Sequence, residues 1–392
     1  MNNNLIIKNA RIITENEIIE NGIIIIKNGM ISEIGSFINN NCDFPVFDAE
    51  NKYVSPGFID IHTHGSYGND FMDGDVDGFL SIAKNALLHG ATTIIPTTVA
   101  CGDMGLNKVF STFREAKKLN KNGADMPGLN LEGPFLSKEQ RGAQPLDFLR
   151  SRFERSEILK ILDMTDDILR WSVAPELEGV EIFKEEVEKR NIIMSFAHSS
   201  ADCKQTEYAV SLGFKHFTHL YSGMSVMTRI KGMRIAGGVE GAFLCDDATV
   251  EIITDGMHLP YELIRLVYKI KGADKIALIS DSIRAAGLSE GDYLIGSKDE
   301  GQKIIVKNGV AWMPDFEAFA GSIATADVLL RTAIKAGIPL IATIKMLTKT
   351  PAKIMKLDDR IGSFNKGLDA DIVIFDTDYN IKNVIKNGAL IN

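Results

Sequence analysis

The segment SPGFIDIHTHG, residues 55–65, places two histidines two positions apart at the end of an apolar run. Side chains at positions i and i+2 of a β-strand point to the same face, so His62 and His64 can bind one metal ion together. The glycine after them favours a strand that opens into a loop, where functional residues concentrate. A metal-dependent hydrolase is the first hypothesis, and a histidine pair that only ends a strand or turn is its alternative.

The composition is that of an ordinary globular protein. The chain has 392 residues, of which 45% are hydrophobic and 24% charged, enough for one large or two smaller domains. Its net charge of -9 has no basic block, which argues against nucleic acid and membrane surfaces as partners. No apolar run approaches the roughly 20 residues of a transmembrane helix, so we expect a soluble protein.

The cysteines indicate a reducing compartment. Cys42, Cys101, Cys203 and Cys245 lie far apart, without the CxxC spacing of metal or redox motifs, in a chain that shows no signal-peptide pattern. We expect reduced thiols and a cytoplasmic protein.

Both ends of the chain are rich in aliphatic, strand-like runs. Residues 5–34 contain the pairs Asn21-Gly22 and Asn28-Gly29, and Asn387-Gly388 lies between aliphatic residues near the other end. Asn-Gly between apolar runs predicts a β-hairpin at each of these places. We predict that residues 1–53 and 358–392 together form one small β domain.

The central segment, residues 54–357, alternates short β-branched runs with helical stretches, which predicts βα units and a parallel sheet. Eight such runs can be counted, and eight strands suggest a closed (β/α)8 barrel. The runs end near His62, Thr97, Glu132, Glu176, His198, His219, Asp255 and Asp281.

Chemically active residues concentrate at these strand ends, where barrel enzymes place their catalytic groups. The candidates are His62, His64, Glu132, His198, His219 and Asp281. Of the seven histidines in the chain, four lie at strand ends and His258 lies just past the seventh strand. We interpret the remaining two, His89 and His216, as structural.

The candidate ligands suggest two metal ions, with His62 and His64 on one, His198 and His219 on the other, and Glu132 between them. Nitrogen and oxygen ligands suit divalent zinc, iron, manganese or cobalt. Such an ion lowers the pKa of a bound water to about 7. Asp281, at the end of the eighth strand, is the candidate for proton transfer to the leaving nitrogen.

Nine motifs along nearly the whole chain resemble the amidohydrolase superfamily and, within it, the deacetylases that act on N-acetylglucosamine 6-phosphate. They are PGFIDIHTHG (56–65), LEGPF (131–135), RGAQ (141–144), VAPE (173–176), AH (197–198), THLY (218–221), TDGMH (254–258), ISD (279–281) and FAGS (319–322). Glu132 discriminates within the superfamily, since it resembles the metal-binding glutamate of these deacetylases, whereas many relatives acting on cyclic amides use a carboxylated lysine.

The resemblance implies a (β/α)8 TIM barrel with a small β-sandwich formed by both chain ends, and a homodimer. It implies two divalent ions in each subunit, because deacetylases that lack the pair equivalent to His62 and His64 work with one. The implied substrate-binding residues are Ala143, Gln144, Ser222, Gly223, Asp255, His258, Phe319, Ala320 and Gly321, with Arg229 or Arg234 for the phosphate.

Two departures from the family pattern bear on the substrate. Ser222 and Gly223 stand where members commonly have Asn-Ala, and Gln144 stands where some members have a histidine that polarises the amide carbonyl. We expect hydrolysis of N-acetylglucosamine 6-phosphate to glucosamine 6-phosphate and acetate. The alternatives are an amidohydrolase for a different N-acyl amine or amino-sugar phosphate, and a barrel that has lost its chemistry.

Overall fold

The computed structural model describes residues 3–38 and 43–391. In this part of the chain the strands are β1 (Leu5–Ile13), β2 (Ile18–Lys27), β3 (Met30–Gly35), β4 (Val46–Asp48), β5 (Tyr53–Pro56), β6 (Phe58–Thr63), β7 (Gly65–Ser66), β8 (Asn69–Asp70), β9 (Ala91–Pro96), β10 (Leu129–Glu132), β11 (Ile168–Val173), β12 (Ile193–Phe196), β13 (His216–Phe217), β14 (Thr228–Ile230), β15 (Met233–Ile235), β16 (Thr249–Ile253), β17 (Ile276–Ile279), β18 (Gly291–Ile295), β19 (Gln302–Lys307), β20 (Val310–Trp312), β21 (Ile372–Phe375), β22 (Ile381–Lys386) and β23 (Ala389–Ile391).

The α-helices of the same residues are α1 (Val76–Leu88), α2 (Asp103–Leu119), α3 (Arg155–Leu162), α4 (Val180–Glu188), α5 (Cys203–Leu212), α6 (Gly238–Leu244), α7 (Tyr261–Lys271), α8 (Ala326–Lys335), α9 (Leu340–Leu347) and α10 (Lys349–Ile354). Among the described residues, every helix is too short or too polar to cross a bilayer.

Strands from both chain ends lie in one sheet. Its order is β23-β22-β21-β5-β1-β2-β3, and β4 also pairs with β1. The sheet buries its own hydrophobic cluster, which includes Ile7 and Ile24 from the first strands and Ile372 from β21. Fully burying side chains of this size contributes about 1.5–3 kcal/mol each, so apolar contacts between the two chain ends stabilise the sheet.

Two of the three predicted Asn-Gly hairpins are confirmed, and one is wrong. Asn28-Gly29 connects β2 to β3, and Asn387-Gly388 connects β22 to β23. Asn21-Gly22 instead lies inside β2, where Gly22 faces Ala10 at a shift in the register with β1. Asn21 has a φ of 52°, which is a left-handed backbone conformation. The pair therefore forms an irregularity within the strand and not a turn.

The centre of the chain is a mixed α/β unit built on a curled parallel sheet. Strands β10, β11, β12, β13, β16 and β17 are neighbours in that order, and β6 pairs in parallel with β9. A helix follows each of these eight strands, from α1 after β6 to α8 after β17. Backbone hydrogen bonds also join the two groups, from Thr98 N to Asn130 O (3.0 Å) and from Asp281 N to His62 O (2.9 Å).

Helix α1 shows how the local sequence forms these units. Asp75 caps its first turn by accepting a hydrogen bond from Gly78 N, and Gly90, with a φ of +90°, follows its end. Phe79 and Ile82, three positions apart, lie on its buried face, as helical periodicity predicts.

Three of the four cysteines lie in the described residues, and each of these is a free thiol, as predicted: Cys101, Cys203 and Cys245. Burial raises the pKa of the Cys101 thiol to about 12, which keeps it protonated and unreactive. The prediction for Cys42 lies outside the described residues.

Candidate metal centre

The six predicted ligand and proton-transfer residues converge at the carboxyl ends of the parallel strands. A cavity of about 280 Å³ opens there, and its wall contains Glu132, His64, His198, His219 and Asp281. His62 lies directly behind them and is fully buried. Residues separated by more than 200 positions in the sequence are therefore within a few ångströms of one another.

Glu132 is the centre of this cluster. Its Oε1 lies 3.0 Å from His219 Nε2, 3.3 Å from His198 Nε2 and 3.6 Å from His62 Nε2. Its Oε2 lies 3.5 Å from His64 Nε2. The cluster contains two possible metal-binding groups, His62, His64 and Glu132, and Glu132, His198 and His219. Within each group the ligand atoms all lie within 4.8 Å of one another.

The hydrogen bonds of the other ring nitrogens suit these histidines to bind metal. Nδ1 of His198 lies 2.7 Å from Gln140 O, and Nδ1 of His219 lies 3.0 Å from Ser222 O. A carbonyl oxygen can only accept, so the network assigns the proton to Nδ1 and leaves the Nε2 lone pair facing Glu132. Metal-binding histidines are held in this way.

Two buried ring nitrogens have no hydrogen-bond partner in the described structure, His62 Nε2 and His64 Nδ1. A buried polar atom is normally paired. His62 Nε2 faces Glu132 and Asp281 at 3.6 and 3.5 Å, too far for hydrogen bonds but suitable for a cation between them. The donor set and this orphaned nitrogen together fit a divalent metal ion.

The charges of the cluster also favour a cation. Burial raises the pKa of Glu132, but the surrounding histidines outweigh this and hold it well below its usual range. Burial lowers the pKa of His64, yet the hydrogen bond and charge of Asp281 raise it to about 9. His219 is also raised, to a pKa of about 9, by Glu132 against the effect of burial. The carboxylates thus keep protons on the histidines, and a metal ion would displace these protons.

Three of these residues have left-handed backbones, with φ of 45° at His198, 27° at His219 and 47° at Asp281. Such conformations are costly for residues other than glycine and concentrate at functional sites. Each residue lies two positions past the end of a parallel strand. Each of these strands is therefore followed by a left-handed residue that belongs to the candidate metal centre.

Most of the predicted substrate-binding residues line the same cavity. They are Ala143, Gln144, Ser222, Gly223, His258, Phe319 and Gly321. Asp255 lies behind His258 and binds its Nδ1 at 2.8 Å, and Ala320 is fully buried beside Phe319. The cavity wall also contains Ile295 and Ala318, which lie outside the motifs.

Gln144 has a defined orientation within this wall. Its Nε2 donates to Glu132 Oε2 at 2.7 Å, and its Oε1 accepts from Ala100 N at 2.8 Å. The amide therefore contacts a candidate metal ligand directly.

The two candidate phosphate-binding arginines lie elsewhere. Arg229 on β14 and Arg234 on β15 are direct cross-strand partners in an exposed hairpin. They are not among the cavity-lining residues. Because opposed residues in a β-ladder point to the same face, the two guanidinium groups can act on one ligand together.

The sequence analysis did not single out two charged residues beside the candidate metal centre, Arg170 on β11 and Glu251 on β16. Both are fully buried and form an ion pair, and Glu251 Oε2 lies 3.2 Å from His62 Nδ1. Burial raises the pKa of Glu251, but the charge of Arg170 outweighs it and holds it well below its usual range. Charged residues inside otherwise apolar strand runs were the available signal. His216 also contacts this pair and lies outside the cavity wall, in keeping with a structural role.

Histidines and carboxylates gathered at the carboxyl ends of parallel strands are typical of metal-dependent hydrolases. Residues 53–391 match the amidohydrolase family, and the chain belongs to it.

Individual relatives are similar along their full length. The N-acetylglucosamine-6-phosphate deacetylase of Lysinibacillus sphaericus is 31% identical, with 98% of this chain and 97% of the relative covered. That of Bacillus subtilis is also 31% identical, with 100% and 98% covered.

Solved structures of such deacetylases superpose closely. The enzyme from Pasteurella multocida gives a TM-score of 0.90 at 28% identity, covering 99% of both chains. A mutant enzyme from Mycobacterium smegmatis in complex with N-acetyl-D-glucosamine-6-phosphate gives 0.89 at 25% identity, again covering 99% of both chains.

Proposed function

We propose that this chain hydrolyses the N-acetyl group of N-acetylglucosamine 6-phosphate, releasing glucosamine 6-phosphate and acetate. The observation that carries the proposal is the position of Glu132 among four histidine Nε2 atoms beside Asp281. Full-length similarity to deacetylases of this substrate supports the same activity.

The proposed metal ligands are His62 and His64 for one ion, His198 and His219 for a second, and Glu132 between the two. Asp281 is a further proposed ligand of the first group, because its Oδ1 lies 3.1 Å from His64 Nε2. The nitrogen and oxygen donors suit zinc, iron, manganese or cobalt. When bound, such an ion supplies a Lewis acid and lowers the pKa of water for attack on the acetyl carbonyl.

Asp281 is the proposed acid-base residue. Burial raises its pKa, but the hydrogen bond with His64 and the histidine charges outweigh this and lower it, so the carboxylate is ionised. It borders the cavity and can take the proton of the attacking water and pass it to the amine as the C–N bond breaks. Its buried surroundings limit proton exchange with bulk water.

The sugar would occupy the cavity beside Asp281. His258, oriented by Asp255 at Nδ1, can form a hydrogen bond with it through Nε2, and the ring of Phe319 packs 4.9 Å from that of His258. Ala143, Gln144, Ser222, Gly223, Ala320 and Gly321 complete the proposed substrate site. None of the described cavity-lining residues is Lys or Arg, which leaves Arg229 and Arg234 as the proposed phosphate contacts.

We further propose a closed (β/α)8 barrel over residues 54–357 and a small β-sandwich domain from residues 1–53 and 358–392. Hydrogen bonds from the residues just after β9 to β10, and from those just after β17 to β6, support closure. The separate hydrophobic cluster of the terminal strands supports a second domain. The homodimer that the resemblance implies and the cytoplasmic location that the cysteines indicate stay predictions, and light scattering measures the oligomeric state.

The experiment compares acetate release from N-acetylglucosamine 6-phosphate, unphosphorylated N-acetylglucosamine and an N-acetylated amino acid, each with zinc, iron, manganese or cobalt. We expect turnover to be highest with the sugar phosphate and to be lost after chelation. Preference for another substrate would instead favour deacylation of a different N-acyl amine, an alternative that Ser222, Gly223 and Gln144 keep open. No acetate from any substrate would favour a non-catalytic barrel.

A further inference from the structure

The ion pair of Arg170 and Glu251 lies beneath the candidate metal centre and has no access to the cavity. Both side chains are fully buried. Glu251 Oε1 accepts from Arg170 Nη1, while its Oε2 lies 3.2 Å from His62 Nδ1 and 3.2 Å from the backbone nitrogen of His219. One carboxylate thus contacts a residue from each of the two candidate metal groups.

Arg170 is anchored so that it holds one oxygen of this carboxylate. Its Nε donates to Asn130 Oδ1 at 2.9 Å, and its Nη2 donates to Ile61 O at 3.1 Å. Its Nη1 points at Glu251 Oε1. Since Arg170 takes Oε1, Oε2 is the oxygen left to accept from His62 and His219.

His62 Nδ1 lies between an acceptor and a donor, Glu251 Oε2 at 3.2 Å and Arg170 Nη2 at 3.3 Å. A proton on Nδ1 satisfies Glu251 and leaves the Nε2 lone pair free. A proton on Nε2 would satisfy Arg170 and block the nitrogen that faces Glu132 and Asp281. Arg170 Nη2 already has Ile61 O as an acceptor, whereas Nδ1 has no acceptor other than Glu251 among the described residues.

We propose that Glu251 is a positioning residue that holds His62 in the tautomer whose Nε2 can bind a metal ion, with Arg170 fixing which carboxylate oxygen faces His62. This inference rests on the metal-dependent function proposed above. A carboxylate that accepts the second N–H of a metal-binding histidine orients the ring and strengthens it as a ligand.

Glu251→Gln tests the proposal because it keeps the shape of the side chain. Arg170 will retain the amide oxygen, so the NH2 group turns toward His62 Nδ1 and the His219 N–H. His62 then accepts at Nδ1 and carries its proton on Nε2. We expect one of the two metal ions to be bound about 10–100-fold more weakly and the other to be bound as in the wild type.

The readout is metal content per subunit after dialysis against increasing chelator, with folding checked by circular dichroism. Glu251→Asp is the second variant, because it keeps the charge opposite Arg170 but withdraws the carboxylate from His62, and the same ion should be weakened. Glu186→Gln is the matched control, since Glu186 is also buried and ion-paired, with Arg155 and Lys189, but on α4. Adding Glu251→Gln to His62→Gln should cause no further weakening.

Each outcome bears on a different claim. Selective loss of one ion in both Glu251 variants, with Glu186→Gln unchanged, supports the proposal. Two ions held as tightly as in the wild type, or both weakened equally, would overturn it while the proposed deacetylase activity stands. Wild-type protein that never retains metal at His62 and His64 would overturn both this inference and the two-metal proposal.

Discussion

Gln144 donates a 2.7 Å hydrogen bond to Oε2 of Glu132, the carboxylate that the candidate metal groups share. The Gln144 amide cannot flip, because the Ala100 N–H can only donate and requires Gln144 Oε1 as its acceptor. The residue is only 5% exposed, so both bonds are largely shielded from water. Gln144 therefore orients Glu132 and leaves its Oε1 to the histidines.

We predict that Gln144→Leu weakens catalysis by disordering Glu132. The variant loses a hydrogen bond to a charged group, worth about 1.5–3 kcal/mol, and leaves Ala100 N–H unpaired. The value of kcat/KM for acetate release should fall about 10–100-fold, with weaker metal retention. Gln205→Leu, which removes a capping side chain from α5, is the control and should leave kcat/KM unchanged. Unchanged kcat/KM in Gln144→Leu would exclude this role.

Gly223 is predicted to be essential at its position although family members commonly have alanine there. Its φ is +55°, and an added Cβ would lie 2.6 Å from His198 Nδ1 and 2.9 Å from Gln140 O. Gly223→Ala should therefore separate His198 from its carbonyl partner, lower thermal stability and reduce metal binding by Glu132, His198 and His219.

Gly232→Ala provides the matched control for Gly223→Ala. Gly232 also has a positive φ, +86°, but nothing lies within 4 Å of an added Cβ. Gly232→Ala should lower the free energy of unfolding only by the about 1–2 kcal/mol that a left-handed backbone costs an alanine. Its metal content should equal that of the wild type. Equal metal content and equal loss of stability in the two variants would show that crowding at His198 is unimportant.

The sequence predicts positions along the chain better than partners across it. The strand end at His62 could be predicted because a buried parallel strand reads as a continuous apolar run with its polar residues at the end. The hairpin predicted at Asn21-Gly22 was wrong, because residues that adopt left-handed backbones occur both in hairpin turns and in strand irregularities. Arg170 and Glu251 were not predicted as a pair, because they lie 81 positions apart on β11 and β16, strands that are not neighbours and approach each other only when the sheet curls.

Arg229 and Arg234 should act together on the phosphate, since they are opposed in the β14–β15 hairpin. Each charge-assisted hydrogen bond contributes about 1.5–3 kcal/mol, so Arg229→Ala and Arg234→Ala should each raise KM for N-acetylglucosamine 6-phosphate roughly 10–100-fold. The kinetics with unphosphorylated sugar should not change. Arg152→Ala, at an exposed arginine paired with Glu154, is the control. Equal losses on both sugars would remove the phosphate role.

Asp327 should stabilise the fold in a pH-dependent way. Burial raises its pKa, but hydrogen bonds with His89, Thr325 and Arg331 and the charge of His89 outweigh this and hold the pKa well below 3.8. A depressed carboxyl pKa contributes stability that is present above the unfolded value and lost as pH falls through the folded one. Asp327→Asn should lose about 1–3 kcal/mol of unfolding free energy at pH 5–8.

The difference between wild type and Asp327→Asn should narrow below about pH 4, where the unfolded carboxyl becomes protonated. Urea denaturation from pH 3 to pH 8 measures this. Asp292→Asn, at an exposed position on β18, should show no such dependence. A difference that stays constant down to pH 3 would show that the ionised carboxylate is not the source of the stability.

Asp281→Asn should separate metal binding from chemistry. The amide keeps the size of the carboxylate but cannot accept the proton of the attacking water, and proton transfer of this kind contributes about 10²–10⁴-fold. We expect kcat to fall by that factor with little change in KM, because the cavity wall is preserved. Metal content should remain near the wild-type value, because the Asn amide oxygen can still serve as a ligand and Glu132 and the four histidines are unchanged. Turnover retained in a metal-loaded Asp281→Asn variant would assign the acid-base role to another residue.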